Sequence, residues 1–113
     1  MKYMLLLYAN ESAVPAEPPG EIYQAWQTLL KDAAAAGVLI ANDGLSPTSN
    51  ATTVRVRDGK TLITDGPFAE THEQFGGYFL IDVKDLDEAV AWAARIPHAF
   101  NGSVEIRPLW NFV

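Results

Sequence analysis

Cysteine is absent from the chain, which excludes a disulfide framework, a thiolate nucleophile and any cysteine-ligated zinc or iron–sulfur centre. Histidine is scarce as well: two residues fall short of the three or four convergent ligands a metal site needs, so no metal is expected. Cations are outnumbered, with eight Lys and Arg against fourteen Asp and Glu, a net charge of −6 and a pI near 4.7. With no basic stripe, such a surface repels phosphate backbones, and nucleic acid is not an expected partner. No apolar run approaches the roughly 18 residues that span a bilayer. The apolar opening Tyr3–Tyr8 is short, and Asn10-Glu11 follows without a small-residue cleavage site. Neither a membrane association nor a secretory leader is expected, and the expected location is the cytoplasm. The chain also lacks a nucleotide-binding glycine motif and a Gly-x-Ser-x-Gly elbow, which removes P-loop and serine-hydrolase readings.

What is present is ample apolar surface. Of the 113 residues, 49% are hydrophobic, including three Trp, four Tyr and five Phe. Folding of a chain this size removes roughly 65% of its extended surface. One domain over residues 1–113 is expected, and intrinsic disorder is not.

The opening strand, Lys2 to Tyr8, is apolar on both parities: Tyr3, Leu5 and Leu7 face one way, Met4, Leu6 and Tyr8 the other. A Pro- and Glu-containing loop ends at Pro18-Pro19-Gly20. Glu21 to Ala36 then spaces Ile22, Trp26, Leu29, Leu30 and Ala33 by threes and fours, the pattern of an amphipathic helix, and Gly37 suits the position just past its end. Val38 to Leu45 reads as a strand interrupted by Asn42-Asp43-Gly44, a bulge or turn. Val54–Arg57 and Lys60–Ile63 flank Asp58-Gly59, a two-residue hairpin turn that demands positive φ; both arms alternate, leaving one face wet. Phe75 to Val83 is again apolar on both faces except for Asp82. Asp85, with Glu88 three residues on, can cap a helix whose stripe is Leu86, Ala89, Val90, Ala93 and Ile96, stopped by Pro97. Ser103 to Leu109 is the last strand.

The order β-α-β, hairpin, β-α-β predicts an α+β two-layer sandwich of ferredoxin-like type. Two helices cover only one face of such a sheet. An uncovered second face forfeits on the order of 1.5–3 kcal/mol for each large side chain that could be buried. A homodimer with sheets face to face is therefore expected, with a pocket for a small-molecule ligand between the sheets or at their rim.

Candidate chemistry gathers in two adjacent stretches. In Asp65-Gly66-Pro67-Phe68, Gly permits positive φ and Pro fixes it near −65°. A rigid turn with Phe68 plugging the core explains this tetrad, and so does a turn aiming Asp65 or Phe68 into a cavity. In Glu70-Thr71-His72-Glu73-Gln74, His72 is flanked by carboxylates, and Glu70 shares its face if the segment is extended. A solvated polar loop and a catalytic or ligand-binding His72 are both consistent with that pattern. His98, after Pro97, meets the end of the second helix as a structural or solvated residue. Tyr8 and Tyr78 offer hydroxyls, as core, interface or pocket residues. Arg107, beside Glu105 on the last strand, offers a cation for a carboxylate ligand or for a cross-strand salt bridge. Trp110 and Phe112 crowd the C-terminal end, and Asp43 is a reserve acid.

Thr64–Thr71 with Gln74-Phe75-Gly76-Gly77-Tyr78-Phe79-Leu80-Ile81-Asp82-Val83 resembles the hallmark stretch of the DGPF group of YCII-related proteins. Asp85 to Pro97, Gly102 to Leu109 and the Tyr3–Tyr8 opening extend the likeness over essentially the whole chain. The resemblance implies a dimeric α+β barrel of ferredoxin-like fold. It implies little about activity, since most members are uncharacterised; many are encoded beside alternative sigma factors. Related branches are proposed to use a His–Asp pair with the histidine on the first helix, and include a dehydrochlorinase-like activity. Trp26 stands near that position here and the first helix has no histidine, so the pair does not carry over.

Two functions follow as expectations. One is cofactor-free lyase or isomerase chemistry beside an acidifying carbonyl, with His72 as base, Asp65 or Glu70 orienting it, and Tyr8 or Tyr78 donating to oxyanion charge; Phe68 and Arg107 complete the binding set. The other is a non-catalytic ligand-sensing or accessory module, linked to transcriptional control through a protein partner.

Overall fold

A computed structural model describes residues 1–13 and 19–110. Phe112 and most of the proline-containing loop ahead of the first helix lie outside them. Strand β1 (Lys2–Ala9) is followed by helix α1 (Gly20–Ala35), β2 (Leu39–Gly44), the hairpin β3 (Thr52–Arg57) and β4 (Lys60–Asp65), and β5 (Gln74–Asp82). Helix α2 (Leu86–Ala93), the one-turn α3 (His98–Asn101) and β6 (Ser103–Pro108) complete the order. Four strands form an antiparallel sheet in the order β2-β5-β1-β6, while β3 and β4 pair only with each other. This is the ferredoxin-like α+β arrangement, with a hairpin inserted between its two halves.

Alternation along the central strands decides which side chains meet the helices. On β1, Tyr3, Leu5, Leu7 and Ala9 are buried, while Met4, Leu6 and Tyr8 on the opposite face are half-buried. β5 matches it in register, Leu5 opposite Phe79 and Leu6 opposite Tyr78, so Phe79 and Ile81 join the core and Tyr78 and Leu80 do not. Leu29 and Ala33 of α1, Ala89 and Ala93 of α2, and Ile96 close that core. Trp26 lies flat on Phe79, ring centroids 5.6 Å apart and planes within 4°. Between the helices, Arg95 donates to Asp32 at 2.6 Å and sits 5.2 Å from the centre of the Trp92 ring.

Local chemistry places the element ends. Gly37 takes φ +72° beyond α1, and the β3–β4 turn has Asp58 at +52° and Gly59 at +74°, both residues left-handed as a tight hairpin requires. Asp85 caps α2 by accepting from the Glu88 amide at 2.9 Å. The Glu88 carboxylate reaches back to the Lys84 amide rather than to that of Asp85, one residue off the reciprocal box.

Several expectations need correction. α2 ends at Ala93, and Pro97 stands before α3 rather than stopping α2. Ile96 is buried, but Leu86 and Val90 are half exposed, because the short helix turns its small alanines to the sheet. Asn42-Asp43-Gly44 is regular strand paired with Phe79-Tyr78-Gly77; the irregularity in β2 falls between Leu39 and Ala41. Phe68 does not plug the core: it is 78% exposed.

Helices cover one sheet face, and none of the described residues layers on the other. Accessible surface totals 8076 Å², about a third above the ~6,100 Å² of a compact monomer of this mass. The radius of gyration, 16.1 Å, likewise exceeds the ~13 Å of a compact fold this long.

Candidate functional site

The Asp65-Gly66-Pro67-Phe68 turn closes the foot of the hairpin. Gly66 adopts φ +103°, a conformation a side chain would resist. Its amide donates to the Ala51 carbonyl at 2.7 Å, and its carbonyl accepts from Thr53 Oγ1 at 2.8 Å. The chain therefore leaves β4 pinned to the start of β3, and Pro67 and Phe68 project toward the end of the sheet. There an open cleft of about 700 Å³ lies between the hairpin foot and the ends of β1 and β5. Tyr8 and Phe75 form one wall, Pro67 and Phe68 another, and Leu45, Pro47 and Thr48 a third.

The Tyr8–Phe75 wall comes from a bulge. Tyr8 pairs with Phe75 and Leu7 with Gly77, so Gly76 is skipped and Phe75 turns to the open face beside Tyr8, centroids 5.5 Å apart. Glu11, just past β1, braces the third wall. Its carboxylate accepts from the Thr48 amide at 2.8 Å and from Thr48 Oγ1 at 2.7 Å, while its own amide donates to Gln74 Oε1 at 2.8 Å. Sequence reading missed Glu11, Thr48 and Gln74, because this clasp joins residues far apart in the chain and has no local signature.

The expected residues distribute as follows. Tyr8 and Phe68 line the cleft. Asp65, Glu70 and His72 are exposed near it, and no hydrogen bond or ion pair joins any of the three to another. Their segment is bent rather than extended, held by Thr71 Oγ1 donating to the Glu73 carbonyl at 2.6 Å and by Ser103 Oγ donating to Glu73 Oε1 at 2.8 Å. Within it, Thr71 and Gln74 line the cleft, whereas the exposed His72, between them in sequence, does not. Tyr78 lies in the middle of the open sheet face, between Leu6 of β1 and Asp43 of β2. Arg107 is on the same face at the β6 edge and pairs with Glu105 at 3.2 Å; that partner is on its own strand, not across the sheet. The Tyr8 hydroxyl is 3.5 Å from the same Glu105 carboxylate, a long hydrogen bond.

His98 sits away from the cleft, at the start of α3. Its ring meets Trp26 edge-on at 5.8 Å, its Nδ1 is buried without a hydrogen-bond partner, and burial holds its pKa below the ordinary 6.5. It packs against Trp26 rather than capping the end of α2. Among the described residues no cluster of His, Asp and Glu is arranged to hold a metal ion, and no helix is long and apolar enough to cross a membrane.

Among the described residues, no ionised side chain lines the cleft. Tyr8 is the one titratable side chain among the residues that line it, and the rest are apolar groups, hydroxyls and amides. Comparison with known proteins leads to the same family as the motifs. An uncharacterized protein of Rhizobium meliloti (strain 1021) is 39% identical over 114 residues, covering 96% of this chain and 92% of that protein. The YCII-related domain model matches residues 1–113. The chain is a member of the YCII-related domain family.

Proposed function

We propose that this protein is a homodimer of the DGPF type that binds a small, uncharged organic molecule in the cleft at the hairpin foot, as a sensing or accessory module. The observation that carries the binding reading is the cleft itself, about 700 Å³ and walled by Tyr8, Phe75 and Phe68, with no ionised side chain among the described residues that line it. A volume of that size suits a small ligand. The dimer is supported by the face opposite the helices, where Met4, Leu6, Tyr8, Tyr78 and Leu80 have no covering layer among the described residues.

A thermal-shift screen against small neutral and anionic organic compounds tests the reading. Neutral aromatic compounds are expected to raise the melting temperature, and Phe68→Ala, at an exposed position, is expected to abolish the shift while leaving the unliganded melting temperature unchanged. A screen in which no compound stabilises the protein, or hits indifferent to Phe68→Ala, contradicts it.

A second reading rests on His72 lying in sequence between two cleft-lining residues, Thr71 and Gln74. In it His72 is the base of a cofactor-free lyase or isomerase, with Asp65 or Glu70 as its orienting carboxylate and Tyr8 or Tyr78 as proton donor. A positioned base contributes roughly 10²–10⁴ in rate, so in a turnover assay on each screening hit His72→Ala should lower the rate by that factor. An unchanged rate, or no turnover at all, removes this reading and leaves the binding one standing.

A further inference from the structure

The β3–β4 hairpin is a ribbon with two unlike faces. Its register sets Val54 opposite Ile63 and Val56 opposite Thr61 on one side, and Arg55 opposite Leu62 and Arg57 opposite Lys60 on the other. One face is thus aliphatic, and the other carries three of the chain's eight Lys and Arg residues. The aliphatic face is bare: Val54 and Val56 are 59% exposed and Ile63 68%. A two-stranded ribbon with neither a third strand nor a layer beneath it is marginally stable in water, yet this one is long, regular and closed by a strict two-residue turn.

We infer that the aliphatic face of this ribbon packs on a second copy of the chain, so that the two subunits clasp each other with their hairpins. The inference rests on the proposed pairing of the open sheet faces and extends it. Surface area argues for a second copy. The excess over a compact monomer is roughly 2,000 Å² per chain, or about 4,000 Å² for a pair, within the 2,000–5,000 Å² range of obligate homodimers. The open sheet face does not account for it: four strands at ~4.8 Å spacing and ~26 Å length project only about 500 Å². Further burial must come from elsewhere, and the ribbon holds the largest group of exposed aliphatic side chains outside the sheet. Because Thr52, Thr53, Pro67 and Phe68 at the ribbon's foot line the cleft, docking of the ribbon also fixes the orientation of that cleft wall.

The absence of cysteine makes the test direct. Val56→Cys and Arg57→Cys place single thiols on opposite faces of the ribbon, and their alkylation by N-ethylmaleimide is followed while sedimentation at the same concentrations reports the mass. Ile63→Cys and Leu62→Cys repeat the comparison should either of the first variants fail to fold. In the dimer, the thiol at position 56 is expected to react at least tenfold more slowly than the thiol at 57, with the difference vanishing on dilution to single chains. A dimer whose two thiols react equally fast overturns the ribbon contact and leaves the sheet pairing intact. Protection that persists in single chains means the ribbon folds on its own body, and also overturns it. Single chains at every concentration, with both thiols fast, overturn the ribbon contact and the sheet pairing together.

Discussion

The sheet and the ribbon both present apolar strand faces, two on β1 and one on the alternating arms of the hairpin, yet their fates differ. On β1 every second side chain disappears beneath helices, Leu5 to 1% exposure; on β4 the corresponding apolar residue, Ile63, stays 68% exposed. The difference is not in the strands. It lies in what the chain places above them: α1 and α2 return across the sheet, whereas the hairpin is a local excursion with nothing after it to fold back. Alternation states that a strand has an apolar face, and only topology states whether this chain supplies the cover.

That contrast is open to direct attack. Leu5→Ala should cost about 2–5 kcal/mol, the range for truncating a fully buried leucine, whereas Ile63→Ala measured on single chains should fall within roughly 0.5 kcal/mol of wild type. Equal losses in urea denaturation would mean that the ribbon is part of the core after all. Next in size, Asp85→Ala removes the cap that accepts from the Glu88 amide and should cost about 0.5–2 kcal/mol. The loss should appear as faster amide exchange at the start of α2 with exchange in the ribbon unchanged; a ribbon that loosens too would tie the two regions together.

A subtler distinction concerns pH. Burial holds the His98 imidazole below its ordinary 6.5, so the folded chain disfavours the protonated form. Above 6.5 the neutral ring carries no penalty. As pH falls through 6.5 the unfolded chain gains a proton that the folded one resists, and stability declines until the folded-state value is also passed. His98→Phe should flatten the stability profile across that window, read from urea midpoints on either side of pH 6.5, and leave the ribbon's alkylation rates as they were. A profile unchanged by the substitution would mean that the ring is not held neutral against Trp26.

Features governed by short stretches of chain were legible before the fold was known. Asp58-Gly59 admits one kind of turn, Gly37 marks a helix end, and Asp85 ahead of an apolar stripe announces a cap; each depends on backbone sterics or on a hydrogen bond spanning a few residues. Leu86 and Val90 misled because helical spacing names a face without saying how wide a face the sheet accepts, and alanines allowed the helix to settle with those two at its edge. Phe68 left two readings open, a core plug or a residue aimed into a cavity, and the turn carries it to a cleft wall. The candidate site was legible only in part. Tyr8 and Phe68 were in view as pocket residues, but the Glu11–Thr48–Gln74 clasp that frames the cleft joins segments 37 and 63 residues apart, and no window of sequence contains it.

The account depends most on a second copy covering what this chain leaves bare. Sedimentation equilibrium of the wild-type protein at low micromolar concentration addresses that claim most directly. The predicted result is a particle of twice the chain's 12.3 kDa; a particle of 12.3 kDa that stays single as concentration rises would contradict it.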